Sequence, residues 1–273
     1  MRVATRFLVG AGLVAITAAL AGAHDMFLKP AQFFLAENSS LDLSLLNGTF
    51  SKSENSIERK RLNDISVLGP AGRARVDTSA WKATGDTSFF SVKVGAAGTY
   101  VLGVSTRPNI IALKAEEFNA YLKDDGIPDI LAARKKDGEL GVPSKERYHK
   151  HVKTMVQVGE ARTEHYATAL GYPAEIIPVT NPYSLKVGGA LRFKTLVDGK
   201  PAANQYVLYG GRTPSGGRIE ARNVRSGADG TAEIKVNSAG VWYIKFINMT
   251  PVKGDPEANY ESKWATLTFA VKP

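Results

Sequence analysis

The sequence predicts a mainly β protein: two antiparallel β-sandwich, Ig-like domains with a helical insertion between them. Three observations predict it. Before residue 107, and again after residue 174, short apolar runs alternate with polar residues at period two. Gly, Pro, Asn and Asp punctuate those runs at short intervals. Between residues 113 and 159 the apolar spacing changes to three and four, the period of a helix.

The elements follow in order. Ser40-Leu41-Asp42-Leu43-Ser44-Leu45 alternates as a half-buried strand does. Residues 65–68, 89–94 and 98–104 are further strands, with turns at Gly69-Pro70 and Ala71-Gly72. Phe118, Tyr121 and Leu122 share one helical face, and Pro128 suits the first turn of a second short helix. Ser144 is placed to cap a third helix, with Tyr148, Val152, Met155 and Val156 as its apolar stripe and Gly159 as its stop. Strands then return over 191–197, 205–209, 231–236, 239–246 and 264–271, with turns at Asp198-Gly199-Lys200-Pro201 and Ala228-Asp229-Gly230. This predicts an N-terminal domain over 24–180, interrupted at about 113–159, and a C-terminal one over 181–273.

Residues 1–23 read as a secretory signal peptide. Arg2 and Arg6 precede an uncharged apolar run over 7–20, and Ala21-Gly22-Ala23 supplies the small residues of a cleavage site. The run is short for a membrane span. A cysteine-free exported chain of 273 residues relies on its core rather than on disulfides, which suggests a bacterial periplasm. The formal charge of +9 is spread along the chain in short clusters such as Arg59-Lys60-Arg61, so no nucleic-acid partner is expected.

Without cysteine, a transition-metal site must draw on four histidines, on carboxylates, on methionines or on backbone nitrogen. Cleavage after Ala23 makes His24 the first residue, where its α-amine and imidazole chelate together. Cleavage after Ala21 puts His24 third, where amine, amides and imidazole can wrap Cu(II) or Ni(II) in a square plane. Either cut makes His24 the leading ligand, with Asp25 and Met26 as adjoining secondary donors. On the expected third helix His149 and His151 diverge by about 200°, so at most one of them joins His24. His165, in a loop or at the start of a strand, is a remote third candidate. There is no Gly-x-Ser-x-Gly, phosphate loop or dinucleotide glycine fingerprint, and no enzymatic activity is expected.

Several separated segments resemble one family. They are His24-Asp25-Met26-Phe27-Leu28-Lys29-Pro30, Phe118-Asn119-Ala120-Tyr121-Leu122 with Asp125-Gly126, Glu146-Arg147-Tyr148, Met155-Val156-Gln157-Val158-Gly159 and Trp264-Ala265-Thr266-Leu267-Thr268-Phe269. In order along the chain, they resemble the family of domain of unknown function 4198. The resemblance implies a periplasmic component of nickel or cobalt uptake, with His24 as the one residue carried over as a ligand. His149 and His151 lie where relatives do not regularly carry histidine.

The expected function is therefore a periplasmic metal-binding protein taking Ni(II) or Co(II), or alternatively Cu(II) or Zn(II). It would pass the ion to an inner- or outer-membrane metal transporter. The alternative is an envelope scaffolding or adhesive β-sandwich that binds a transporter or receptor without metal.

Overall fold

A computed structural model describes residues 24–273. The signal-peptide reading of residues 1–23 lies outside the described residues. In the first half the strands are β1 (Asp25–Pro30), β2 (Phe34–Leu35), β3 (Ser40–Gly48), β4 (Leu62–Gly69), β5 (Gly72–Arg75), β6 (Lys82–Thr84), β7 (Thr87–Lys93), β8 (Gly98–Thr106) and β9 (Asn109–Leu113). Helices α1 (Ala115–Asp124) and α2 (Pro128–Lys136) follow. The remaining strands are β10 (Ser144–Val158), β11 (Ala174–Pro178), β12 (Ala190–Val197), β13 (Lys200–Pro201), β14 (Tyr206–Arg212), β15 (Arg218–Arg225), β16 (Thr231–Lys235), β17 (Gly240–Pro251) and β18 (Tyr260–Val271).

These strands form three sheets. The first runs β1-β3-β7-β6, and the third centres on β12 with β11, β13 and β16. The central sheet runs β15-β14-β17-β18-β10-β8-β4-β5, with β2 and β9 also paired to β10. Alternation places the cores. In β3, Leu41, Leu43 and Leu45 turn inward, and Phe90 and Val92 of β7 meet them. The even residues of β8 and β10, including Leu102, Val104, Val152 and Val156, join that core. The odd residues Val101 and Met155 enter a second core with Ile176, Leu191, Phe193 and Ile234 of the third sheet. The first and third sheets therefore cover opposite faces of the central one. The helices sit on the same face as the first sheet, where Phe118, Tyr121 and Leu122 pack on Tyr260 and Trp264.

The third expected helix is a strand. Residues 144–158 form β10, flanked by β18 in parallel and by β8 and β9 antiparallel. The apparent stripe Tyr148, Val152, Met155, Val156 was a coincidence of spacing. The governing signal is the β-branched series Val152, Thr154, Val156, Val158 at alternate positions. Because both faces are covered, the strand shows no clean apolar–polar alternation. Regular helix in the expected insertion is thus confined to α1 and α2, followed by a short 3-10 turn at Glu139–Gly141. The pairing of β10 with β18, from Glu146 opposite Tyr260 to Thr154 opposite Thr268, carries one sheet across residue 180. The edge strand β15 has no sequence signature: it is mostly exposed and rich in arginine.

Candidate functional site

β1 lies across the central sheet, tied to it through its carbonyls. Lys150 Nζ donates to the His24 carbonyl. Thr266 Oγ1 donates to Met26 O at 2.9 Å, and Thr268 Oγ1 to Leu28 O at 2.6 Å. Alternate carbonyls of β1 thus face the sheet and find donors there. The strand is anchored along its length, and His24 stands at its half-exposed end.

Glu54 reaches His24 from the loop after β3. That loop folds back on itself: Glu54 N donates to Asn47 O at 3.0 Å, and Asn47 N to Ser53 Oγ at 3.0 Å. A Cβ on Gly48 would come within 2.5 Å of Lys52 O, so the fold-back needs glycine there. The outcome is His24 Nδ1 at 3.1 Å from Glu54 Oε2, both partly open to solvent. His24 is the shared wall of two cavities. One, of about 470 Å³, is lined by Asn47, Arg61, Asn109, Tyr148 and Lys150. The other, of about 460 Å³, is lined by Asp25, Glu54, Asp125, Arg212 and Arg218.

The other expected donors are elsewhere. Asp25 Oδ2 accepts from Lys245 Nζ at 2.5 Å, and Met26 is buried in the core. His149 and His151 share a face of β10 because the segment is a strand, which corrects the expected divergence. Their ring nitrogens are 3.2 Å apart, and His151 Nδ1 is 2.9 Å from Ser105 Oγ. They are odd residues, on the face of the sheet opposite to Lys150 and His24, so neither joins His24. His165 pairs with Thr163 at 2.8 Å in a short 3-10 turn at Glu164–Ala167. Among the described residues, no three His, Asp or Glu side chains form a ready-made metal cluster. Glu54 was missed because only the backbone fold-back brings it to His24.

A family model described as domain of unknown function (DUF4198) matches residues 21–250. The chain belongs to the DUF4198 family. No curated protein matches it. Among solved structures, it is similar at 9% identity and a TM-score of 0.27 to a DUF4785 family protein from Legionella pneumophila, covering 80% of this chain and 50% of that one. It is similar at 9% identity and a TM-score of 0.24 to trypsin-activated alpha-2-macroglobulin from Escherichia coli, covering 93% of this chain and 16% of that one. It also matches the BSP domain of a biofilm associated protein at 12% identity and a TM-score of 0.21, covering 90% of this chain and 30% of that one. The chain thus spans half or less of the length of each of these structures.

Around His24 this DUF4198 protein buries an unusual set of charges. Lys245 donates to Asp25 and, at 3.1 Å, to Asp125 at the end of α1. Burial alone would lower Lys245, but the two carboxylates outweigh it and hold the ammonium above the usual lysine range. One ammonium serves two acids, and burial pushes the Asp125 carboxyl up to about 6. Burial pushes Lys150 down to about 8, while Asp25, Asp125 and Glu146 pull it the other way. Glu146 is itself raised by burial and accepts from Ser262 Oγ and, at 3.0 Å, from Tyr121 Oη.

Proposed function

We propose that the protein is an exported carrier of a transition-metal ion, Ni(II) or Co(II) by preference, that docks to a membrane metal transporter in the periplasm. His24 and Glu54 hold the ion, joined by the His24 α-amine once the signal peptide is removed. We read the two cores flanking the shared sheet as two Ig-like sandwiches, which serve here to fix the strand that carries His24.

The observation that carries this reading is the 3.1 Å separation of His24 Nδ1 and Glu54 Oε2. Metal–nitrogen and metal–oxygen bonds of about 2.0–2.2 Å at neighbouring coordination positions leave donor atoms about 3 Å apart. The pair therefore needs little movement to share one ion. Amine and imidazole nitrogen with one carboxylate oxygen is a donor set suited to divalent first-row metals. In the cavity on that side of His24, Asp25 and Asp125 already share Lys245 and two arginines line the wall, so Glu54 is the carboxylate placed to serve an ion at His24.

The test is calorimetry on exported, processed protein whose N-terminus has been determined by mass spectrometry. One Ni(II) or Co(II) per chain is expected, with affinity lost in His24→Ala and weakened by about tenfold or more in Glu54→Gln. Protein retaining residues 1–23 should bind poorly, and a His149→Ala/His151→Ala double variant should bind normally. Absence of binding by the processed wild type would overturn the metal reading in favour of the adhesive one.

A further inference from the structure

The cavity on the Lys150 side of His24 holds two cations, Lys150 and Arg61, that form no salt bridge among the described residues. Lys245 is paired with Asp25 and Asp125, Lys153 with Glu175 at 2.8 Å, and Arg134 donates to Asn119, Ser144 and the carbonyls of Glu139 and Val142. Lys150 is 4% exposed and its ammonium donates only to neutral acceptors, the His24 carbonyl and Asn47 Oδ1 at 3.4 Å. It lies beside the Trp264 ring at 4.6 Å, while the carboxylates of Asp25, Asp125 and Glu146 act on it without bonding it. Arg61 donates through Nη2 to the Arg107 carbonyl at 3.0 Å, and its buried Nε has no hydrogen-bond partner. A buried donor without an acceptor is costly, and a carboxylate entering this cavity would supply the acceptor that Arg61 Nε lacks.

The two cations lie beside one aromatic ring. Arg61 Cζ is 5.5 Å and Lys150 Nζ 5.3 Å from the centroid of Tyr148. Tyr148 Oη accepts from Asn109 Nδ2 at 3.1 Å, so its own hydrogen is available to a ligand. Asn47 and Asn109 add amides to the walls, and Ile57 and Ile111 add apolar surface. At the rim, Glu58 and Lys60 pair with each other at 2.6 Å and offset each other's charge.

We propose that this cavity binds a small organic carboxylate bearing hydroxyl groups, of the hydroxy-acid or sugar-acid class. The carboxylate sits between Arg61 and Lys150, and the hydroxyls meet the amides of Asn47 and Asn109. A guanidinium presents a planar fork matched to a carboxylate. Amides both donate and accept, as hydroxyl groups require. A volume of about 470 Å³ exceeds what a simple inorganic anion fills and falls within the range of small-molecule sites. The site uses groups other than the proposed metal donors: Lys150 bonds the His24 carbonyl rather than its ring, and Glu54 does not line this cavity.

The experiment is calorimetry on processed, metal-free protein with citrate, D-galacturonate and sulfate as separate probes. Saturable binding of citrate or galacturonate is expected, weakened about tenfold or more in Arg61→Gln and in Lys150→Met, and unchanged in Glu54→Gln. Arg61 is partly exposed, so its variant keeps the test open if Lys150→Met fails to fold. Three outcomes would overturn the proposal. They are no saturable heat from either carboxylate up to about 10 mM, equal binding by Arg61→Gln, or sulfate binding as tightly as the carboxylates. Because no metal is present, none of these bears on the carrier reading, which is tested by metal titration of the processed wild type and of its His24 and Glu54 variants.

Discussion

His151 is the least hydrated titratable ring in the molecule, at 1% exposure, between Ser105 and His149. Burial, reinforced by His149, holds its imidazole at about 3 against an ordinary 6.5, and burial also lowers His149. Below 6.5 the unfolded chain then binds more protons than the native one. The stability these rings contribute is complete above 6.5 and is lost as the pH falls toward 3. Asp125 acts oppositely. Its carboxyl is raised from 3.8 to about 6, so in that window the native state binds more protons and gains stability as the pH falls. Two lowered imidazoles stand against two raised carboxyls, Asp125 and Glu146, so the test is the difference between variants: from neutral pH to about pH 4 the urea midpoint of His151→Asn should fall less, or rise more, than that of the wild type. An identical slope in the variant would show that the ring does not carry the effect. That the rings meet at all was illegible to a helical reading of residues 144–159. Whether positions 149 and 151 converge or diverge depends wholly on the backbone between them.

At the scale of the element, β10 carries most of the buried acidic, basic and histidine side chains. It places Glu146 and Lys150 on one face and His149, His151 and Lys153 on the other. Each must be satisfied by an element distant in sequence. Lys153 bonds Glu175, which also accepts from the amides of Leu170, Gly171 and Tyr172. Lys153→Met leaves that carboxylate buried without a cation and should cost about 3 kcal/mol in urea unfolding. A loss under about 1 kcal/mol would mean that the three amides alone compensate the charge. Strands with one wet face, such as β3, β7 and β12, were legible because alternation reports a half-buried surface. Helices α1 and α2 were legible from one apolar face and from a proline at a helix start. In β10 both faces are covered and charges pair across the sheet, so local periodicity loses its meaning.

For the whole molecule, the shared sheet predicts one unfolding transition. β10 from the first half and β18 from the second are central neighbours, and two of the three cores, the one under the third sheet and the one under the helices, take residues from both halves. Trp81, Trp242 and Trp264 report separately on the three cores. Tryptophan fluorescence and far-ultraviolet circular dichroism should therefore trace the same urea curve, and residues 24–180 expressed alone should not fold. Two separated transitions, or a folded N-terminal fragment, would contradict this.

By itself the sequence determined the β-rich class, the two helices, the family and the candidacy of His24. These rest on local alternation, on turn residues and on motifs read along the chain. Only the tertiary structure decided that residues 144–158 are a strand, that His149 and His151 face away from His24, and that Glu54 is its neighbour. Those facts depend on which faces of a sheet are covered and on where a loop returns. Both are set by contacts between residues far apart in sequence, which no local period records.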